Sequence, residues 1–303
     1  MGWRNVIVTQ YSKLAYSGGM MTVQIPEKIT QIPVSDINLL LIATTQATLT
    51  TALISELAAS NVKIIFTDSQ HNPITETMNY YANNCNYQRL LNQFNWDVNR
   101  KQKLWTKIVN QKMNNQAAVL TTYHLSTETV RSQIDQLEFN DLTNREAVVA
   151  KKYFEILFGN SFSRRDPANI LNAALNYGYS IILSVFSRQI VVDGYQTYLG
   201  VHHASTQNQF NLASDLMEPF RPFVDYWLYA NRKITAFTPD IKFGLVELLS
   251  LEIKYKNKRM LLSTAIELYC RTCLDYLDGR VDEIEGVMEL VSEVPNYAIN
   301  DNV

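Results

Sequence analysis

Carboxylates and imidazoles recur in this 303-residue chain at intervals that suit phosphodiester chemistry. In Gly200-Val-His-His203 two imidazoles precede Asp215 and Glu218, two acids three residues apart that share one face if their segment is helical. A third acid, Glu146, opens the amphipathic stretch Thr143 to Phe158. One histidine with two or three carboxylates makes a donor set for a hard divalent cation such as Mg²⁺ or Mn²⁺.

Each of these residues also has a plainer reading. Thr143-Asn-Arg-Glu146 matches a capping box, in which the glutamate bonds back to the helix start. Asp215 and Glu218 follow Ser214, a plausible N-cap, and as first-turn acids would complement the helix dipole. Pro219 and Pro222 remove two backbone donors there, so the turn should kink. Either histidine would serve equally as a packed or loop residue. Asn169, Asn172 and Asn176, with Tyr179 beyond, form a polar stripe on an otherwise apolar helix, to be met by another chain segment, water or phosphates.

Five motifs in order resemble one family, the CRISPR adaptation integrases: the larger, catalytic subunit of the spacer-acquisition complex, and within it the short type II form. They are Asn144-Arg-Glu-Ala147, Lys151-Lys-Tyr-Phe154, the run Arg164-Arg-Asp-Pro-Ala-Asn-Ile-Leu-Asn-Ala-Ala-Leu-Asn-Tyr-Gly-Tyr179, Gly200-Val-His-His203, and Asp215-Leu-Met-Glu-Pro-Phe-Arg-Pro222. The resemblance implies that Glu146, His203 and Glu218 are catalytic and hold Mg²⁺ or Mn²⁺. It makes His203 the ligand through the pattern Gly-x-x-His, His202 a neighbour, and Asp215 a supporting or alternate ligand. Asn169, Asn172, Asn176 and Tyr179 would line the active-site groove, with Arg164 and Arg165 as phosphate clamps and Arg145 and Arg221 as further DNA contacts.

Strand-like runs fill residues 5–9, 13–16, 20–25, 38–43 and 62–66, around a helical stretch at 50–59, and Ser17-Gly18-Gly19 signals a hairpin. The pattern predicts an α+β protein: a small, mostly β N-terminal domain over residues 1–70, a linker over 71–86, a larger all-α catalytic domain over 87–295, and a flexible tail over 296–303. Gly159 reads as a C-cap, and Asp166-Pro167 as the start of a long helix reaching about Val192.

A net charge of −2 argues against DNA binding until its distribution is considered. Residues 278–303 hold seven acids and one arginine, a balance of −6, which leaves +4 for the rest. Arg89, Arg100, Lys101, Lys103, Lys107 and Lys112 cluster against Asp97 alone, and Arg100, Lys103 and Lys107 share one helical stripe beside Leu104, Trp105, Ile108 and Val109. Such a stripe meets phosphates or simply solvent. Three cysteines, two in Cys270-Arg-Thr-Cys273 without a second pair, read as packing residues in a reducing compartment. The longest apolar runs fall short of the about 20 residues of a membrane span, and no secretory signal follows Met1, so a cytoplasmic protein with no membrane partner is expected.

The function expected is metal-dependent joining of the 3′-hydroxyl ends of a donor duplex to a leader-repeat target. The resemblance implies a homodimer, with two dimers bridged by a small ferredoxin-like second subunit, and contacts to the RNA-guided nuclease and ring-shaped accessory protein of type II systems. Two rivals remain open: a stand-alone metal nuclease that attacks with water, and a non-catalytic DNA-binding scaffold whose acids cap helices.

Overall fold

The computed structural model describes residues 2, 4–69, 73–79, 87–284, 286 and 288–290. The chain divides into two compact units, Met1–Asn83 and Asn84–Val303. The architecture is α+β, with strand-rich sheets followed by a mostly helical region.

In the first unit the strands are β1 (Arg4–Val8), β2 (Lys13–Ser17), β3 (Met20–Ile25), β4 (Lys28–Pro33), β5 (Ile37–Ile42), β6 (Thr48–Leu49), β7 (Lys63–Thr67) and β8 (Pro73–Glu76), with one helix, α1 (Thr51–Ala59). One sheet has the order β1-β5-β7-β8 and the other β4-β3-β2-β6. The β2–β3 turn pairs Ser17 with Met20 and puts Gly18 and Gly19 at φ 57° and 81°, the left-handed backbone that a two-residue hairpin demands. Every residue of β5 is buried, and Ile37, Leu40 and Ile42 join Leu14 and Met21 of the other sheet and Leu53 and Leu57 of α1 in one core. Pro73–Glu76, assigned to the linker from sequence, is a strand: Thr77 bonds back to Ile64, and Lys63 pairs with Glu76 at 2.7 Å. Residues 80–86 and the tail at 296–303 lie outside the described residues.

The second unit contains α2 (Tyr87–Phe94), α3 (Val98–Thr122), α4 (Glu128–Ile134), α5 (Arg145–Phe158), α6 (Ile170–Val192), α7 (Asn211–Leu216), α8 (Arg221–Ala230), α9 (Pro239–Glu247), β9 (Glu252–Tyr255), β10 (Lys258–Leu261), α10 (Leu262–Leu277) and β11 (Met288–Leu290). It is not all-α: β10, β9 and β11 form a three-stranded antiparallel sheet. The β9–β10 hairpin turns on Lys256 and Asn257 at φ 49° and 61°, a left-handed pair made without glycine. No Asn-Gly or Asp-Gly pair therefore marks that hairpin in the sequence.

Helix α6 is, among the described residues, the one helix long and apolar enough to cross a membrane, yet two-thirds of it is buried inside the protein, as befits a core helix. A Cβ on its Gly178 would lie 2.5 Å from Val224, so glycine lets α6 approach α8 closely. Its N-cap is Asn169, whose side chain accepts from the Leu171 amide, and not Asp166, which turns the preceding loop by accepting from Ala168. Cys270 and Cys273 are free and buried, and burial pushes both thiols up.

Candidate active site

Helix α3 carries the central residue of the site. Its buried stripe runs Leu104, Trp105, Ile108, Val109 and continues through Lys112, Met113 and Gln116. Lys112, counted with the basic cluster from sequence, is therefore inside the protein and not on a phosphate-facing surface. Its ammonium forms ion pairs with Glu146 and, at 2.5 Å, with Glu218. Burial pushes the Lys112 pKa down, but the two carboxylates outweigh it and the net shift is upward.

Glu146 is free to make this pair because other groups serve the start of α5. Asp141, which is buried, accepts from the amides of Arg145 and Glu146, and Asn144, at φ 54°, accepts from that of Ala147. Thr143 is not the N-cap, so the capping box is not formed and the Glu146 side chain projects to Lys112. Gly159 does close α5, at φ 98° with its amide bonded to Glu155.

Glu218 lies in the short 3-10 turn Glu218–Phe220 between α7 and α8, where Pro219 and Pro222 interrupt the helical bonding. Ser214 lies inside α7 and is no N-cap. Phe220 anchors this turn against Phe186 and Tyr269, and Asn115 of α3 donates to the Pro219 carbonyl at 2.7 Å. Asn115 in turn accepts from Gln111, which also reaches the carbonyl of Met288 on β11. Burial raises the Glu218 pKa, but Lys112 and Arg221 outweigh it and hold the carboxyl below its ordinary range. Arg221 pairs with Glu218 at 2.9 Å and lies 4.7 Å over the Tyr179 ring.

Asp215 is wholly buried and spends its carboxylate on one loop. It accepts from the amides of Val201 (2.6 Å), His202 (2.9 Å) and His203 (3.2 Å), and contacts Nδ1 of the His203 ring. The loop is packed so tightly that a Cβ on Gly200 would come within 2.3 Å of the His203 carbonyl and 2.8 Å of Asp215. The bond from Asp215 raises the His203 pKa against the opposing effect of burial, with Glu218 and Glu146 adding to the rise. The two histidines diverge: His202 stacks on Trp105 at 4.2 Å, while the half-exposed His203 meets that indole edge-on.

The asparagine stripe is tied up within the protein. Arg164 donates to Asn172 (2.6 Å) and Asn176 (2.7 Å) and sits over the rings of Tyr179 and Phe154, while Asn172 donates to Ser163 and Asp166. Tyr179 donates to Asp225 at 2.5 Å, and burial pushes that carboxyl up to about 6. A cleft of about 250 Å³ opens beside Arg221, lined by Asn176, Tyr179, Ser180 and Ser214 among others. Arg145 bonds to Thr143 and Gln133, whereas Arg165 is exposed.

The basic stripe of α3 is partly spent on the C-terminal segment. Arg100 donates to the carbonyls of Tyr276 and Val281 and pairs with Asp282, and Lys107 donates to the carbonyl of Ile284; Lys103 is exposed.

Two carboxylates converging on one cationic nitrogen, with an imidazole within electrostatic reach, form a donor set that fits a hard divalent ion. As folded, the position between them is filled by the Lys112 ammonium, and among the described residues no three His, Cys, Asp or Glu side chains meet as a ready cluster. Sequence reasoning missed Lys112 and Asp141. Lys112 was detectable: it continues the spacing of an apolar stripe, where an ordinary solvated lysine does not belong.

The family model described as CRISPR associated protein Cas1 matches residues 6–242. A CRISPR-associated endonuclease Cas1 from Neisseria meningitidis serogroup C is 32% identical over 273 residues, covering 88% of this chain and 90% of the relative. Among solved structures, a casposase bound to its integration product superposes with a TM-score of 0.77 at 18% identity, covering 99% of this chain and 96% of the casposase. A chain of a Cas6-RT-Cas1–Cas2 complex does so at 0.69 and 15% identity, covering 96% of this chain and 36% of that one. At these identities the structural likeness concerns the fold.

Proposed function

Because the chain belongs to the Cas1 family of CRISPR-associated proteins, we propose that it is a metal-dependent DNA integrase that joins the 3′-hydroxyl ends of a short duplex to a CRISPR repeat. The observation that carries this reading is the convergence of Glu146 and Glu218 on one cation position beside His203. A bound Mg²⁺ or Mn²⁺, held by Glu146, Glu218 and His203, would supply Lewis-acid stabilisation of the charge that builds on the scissile phosphate.

The chain's own residues prepare that site. Asp215 engages Nδ1 of His203, which leaves Nε2 as the ring nitrogen for a ligand and fixes the tautomer and ring orientation. Arg221, between Glu218 and the cleft at Asn176 and Ser180, offers its guanidinium to a sugar–phosphate backbone, and exposed Arg165 and Lys103 extend the basic surface. In the reaction the donor's 3′-oxygen bonds to a repeat phosphorus as the P–O bond to the repeat's own 3′-oxygen breaks. The released strand leaves with a 3′-hydroxyl and no water is consumed. The complexes named for the structural neighbours, a casposase on its integration product and a Cas1–Cas2 assembly, support DNA and a small second subunit as partners. A homodimer, whose N-terminal unit would carry dimer and partner contacts, belongs to the same reading.

The name endonuclease on the Neisseria relative favours one alternative, attack by water. Donors ending in 3′-hydroxyl and 3′-deoxy sugars, tested with Mg²⁺ or Mn²⁺, the small partner and a leader-repeat target, separate the two. Joining is expected for the hydroxyl donor alone, and His203→Ala should lose it. Target cleavage that proceeds equally with the deoxy donor would replace integration by hydrolysis.

A further inference from the structure

We propose that Lys112 is a built-in counter-cation of this site, holding Glu146 and Glu218 together in the metal-free protein and giving way when a divalent ion binds. The inference rests on the metal reading above, and no role for this lysine follows from the resemblance in sequence.

The side chains of Lys112, Glu146 and Glu218 are 10%, 20% and 6% exposed, so all three charges are largely withdrawn from water. Two carboxylates brought to one point in such surroundings repel, and ordinarily one would take up a proton. Lys112 removes that need, since its nitrogen is an ion-pair partner of both. Arg221 neutralises Glu218 from its other side, at 2.9 Å, while Lys112 is, among the described residues, the ion-pair partner shared by both acids.

A divalent ion held by the same oxygens would lie where the ammonium now lies, and a monovalent and a divalent cation within a few ångströms repel strongly at low dielectric. The lysine must therefore swing aside, which its four-carbon stem permits without moving α3. The fold is built for both states. Glu146 is fixed at the start of α5 by Asp141 and Asn144 and Glu218 by the Pro219 turn on Asn115, so the acids keep their places while the cation between them is exchanged.

Competition of this kind has a thermodynamic signature. Whatever Lys112 contributes to the metal-free state and not to the loaded state must reappear as weaker metal binding. Wild type, Lys112→Met and Glu146→Gln, as full chains stripped with chelator, would be compared by thermal unfolding and by Mn²⁺ titration in a calorimeter, with no DNA present. Lys112→Met should unfold earlier without metal, bind Mn²⁺ about tenfold or more tightly than wild type, and gain more in unfolding temperature from saturating Mn²⁺. Should that variant fail to fold, Lys112→Met combined with Glu146→Gln removes the repulsion and should recover the fold; continued unfolding of the pair would overturn the proposal. Mn²⁺ binding that depends on Glu146 but is no tighter in Lys112→Met than in wild type would overturn the role of Lys112 and leave the metal reading standing. Absence of any Glu146-dependent Mn²⁺ binding would overturn both.

Discussion

Asp215→Asn separates two roles for this acid, ligand and organiser of the histidine loop. The substitution keeps size and shape but replaces one carboxylate oxygen by an NH₂ group. Asp215 receives three consecutive backbone amides and the His203 ring while wholly buried, so in the variant some N–H groups must face another N–H. Two charge-assisted bonds at about 1.5–3 kcal/mol each give a loss of about 3–6 kcal/mol. For a unit of this size that lowers the unfolding midpoint by about 10 °C. The assay is thermal unfolding without metal, followed over pH, with the His203 imidazole titrated by NMR. His203 has its pKa raised in the folded protein, so its contribution is fully present below its unfolded value and is lost as pH rises through the folded one. Asp215→Asn should lack that slope, and its His203 should titrate lower. A metal-free midpoint within about 2 °C of wild type, coupled with weakened Mn²⁺ binding, would refute the reasoning and make Asp215 a ligand first.

Glu146→Gln should abolish DNA joining and Mn²⁺ binding while costing only about 1–2 kcal/mol in metal-free stability, because Asp141 and Asn144 still complete α5 and Lys112 keeps Glu218; urea unfolding beside a strand-transfer assay checks it. Arg100→Ala should destabilise by about 2 kcal/mol through its lost bonds to Tyr276, Val281 and Asp282, yet leave the salt dependence of DNA affinity unchanged, whereas exposed Lys103→Ala should do the reverse; denaturant melts and binding at several salt concentrations read the two effects. Asp225 is buried with its carboxyl pushed up to about 6, so the folded state holds a proton that the unfolded chain releases near 4. Stability should therefore fall by about 3 kcal/mol as pH rises from about 4 to about 6, and Asp225→Asn should flatten this stretch of a stability-versus-pH curve.

What could be read from the sequence was local. Alternating β-branched residues and Gly18-Gly19 announced the N-terminal strands and their hairpin, and an apolar stripe announced α3 and its buried Trp105. The β9–β10 hairpin escaped because Lys256 and Asn257 adopt left-handed backbone without glycine. At the candidate site the motif residues were legible, but their partners were not. Thr143-x-x-Glu146 matched a local capping pattern, and only the fold brings Asp141 to the helix start and Lys112 to the glutamate. The basic stripe was likewise ambiguous, since charge counting along the chain does not tell that residues 276–284 return to Arg100 and Lys107.

That return has a consequence for how the protein is made. Tyr276, Ile284 and Met288 fasten Arg100, Lys107 and Gln111, and through Gln111 and Asn115 these contacts reach the turn that carries Glu218. Translation delivers these residues after every acid and histidine of the site has left the ribosome. A nascent chain can assemble α3, α5, α7 and α8 around Lys112, but the residues that steady α3 follow only later. Chains stalled before residue 276 should therefore carry all the candidate ligands and still lack a settled centre.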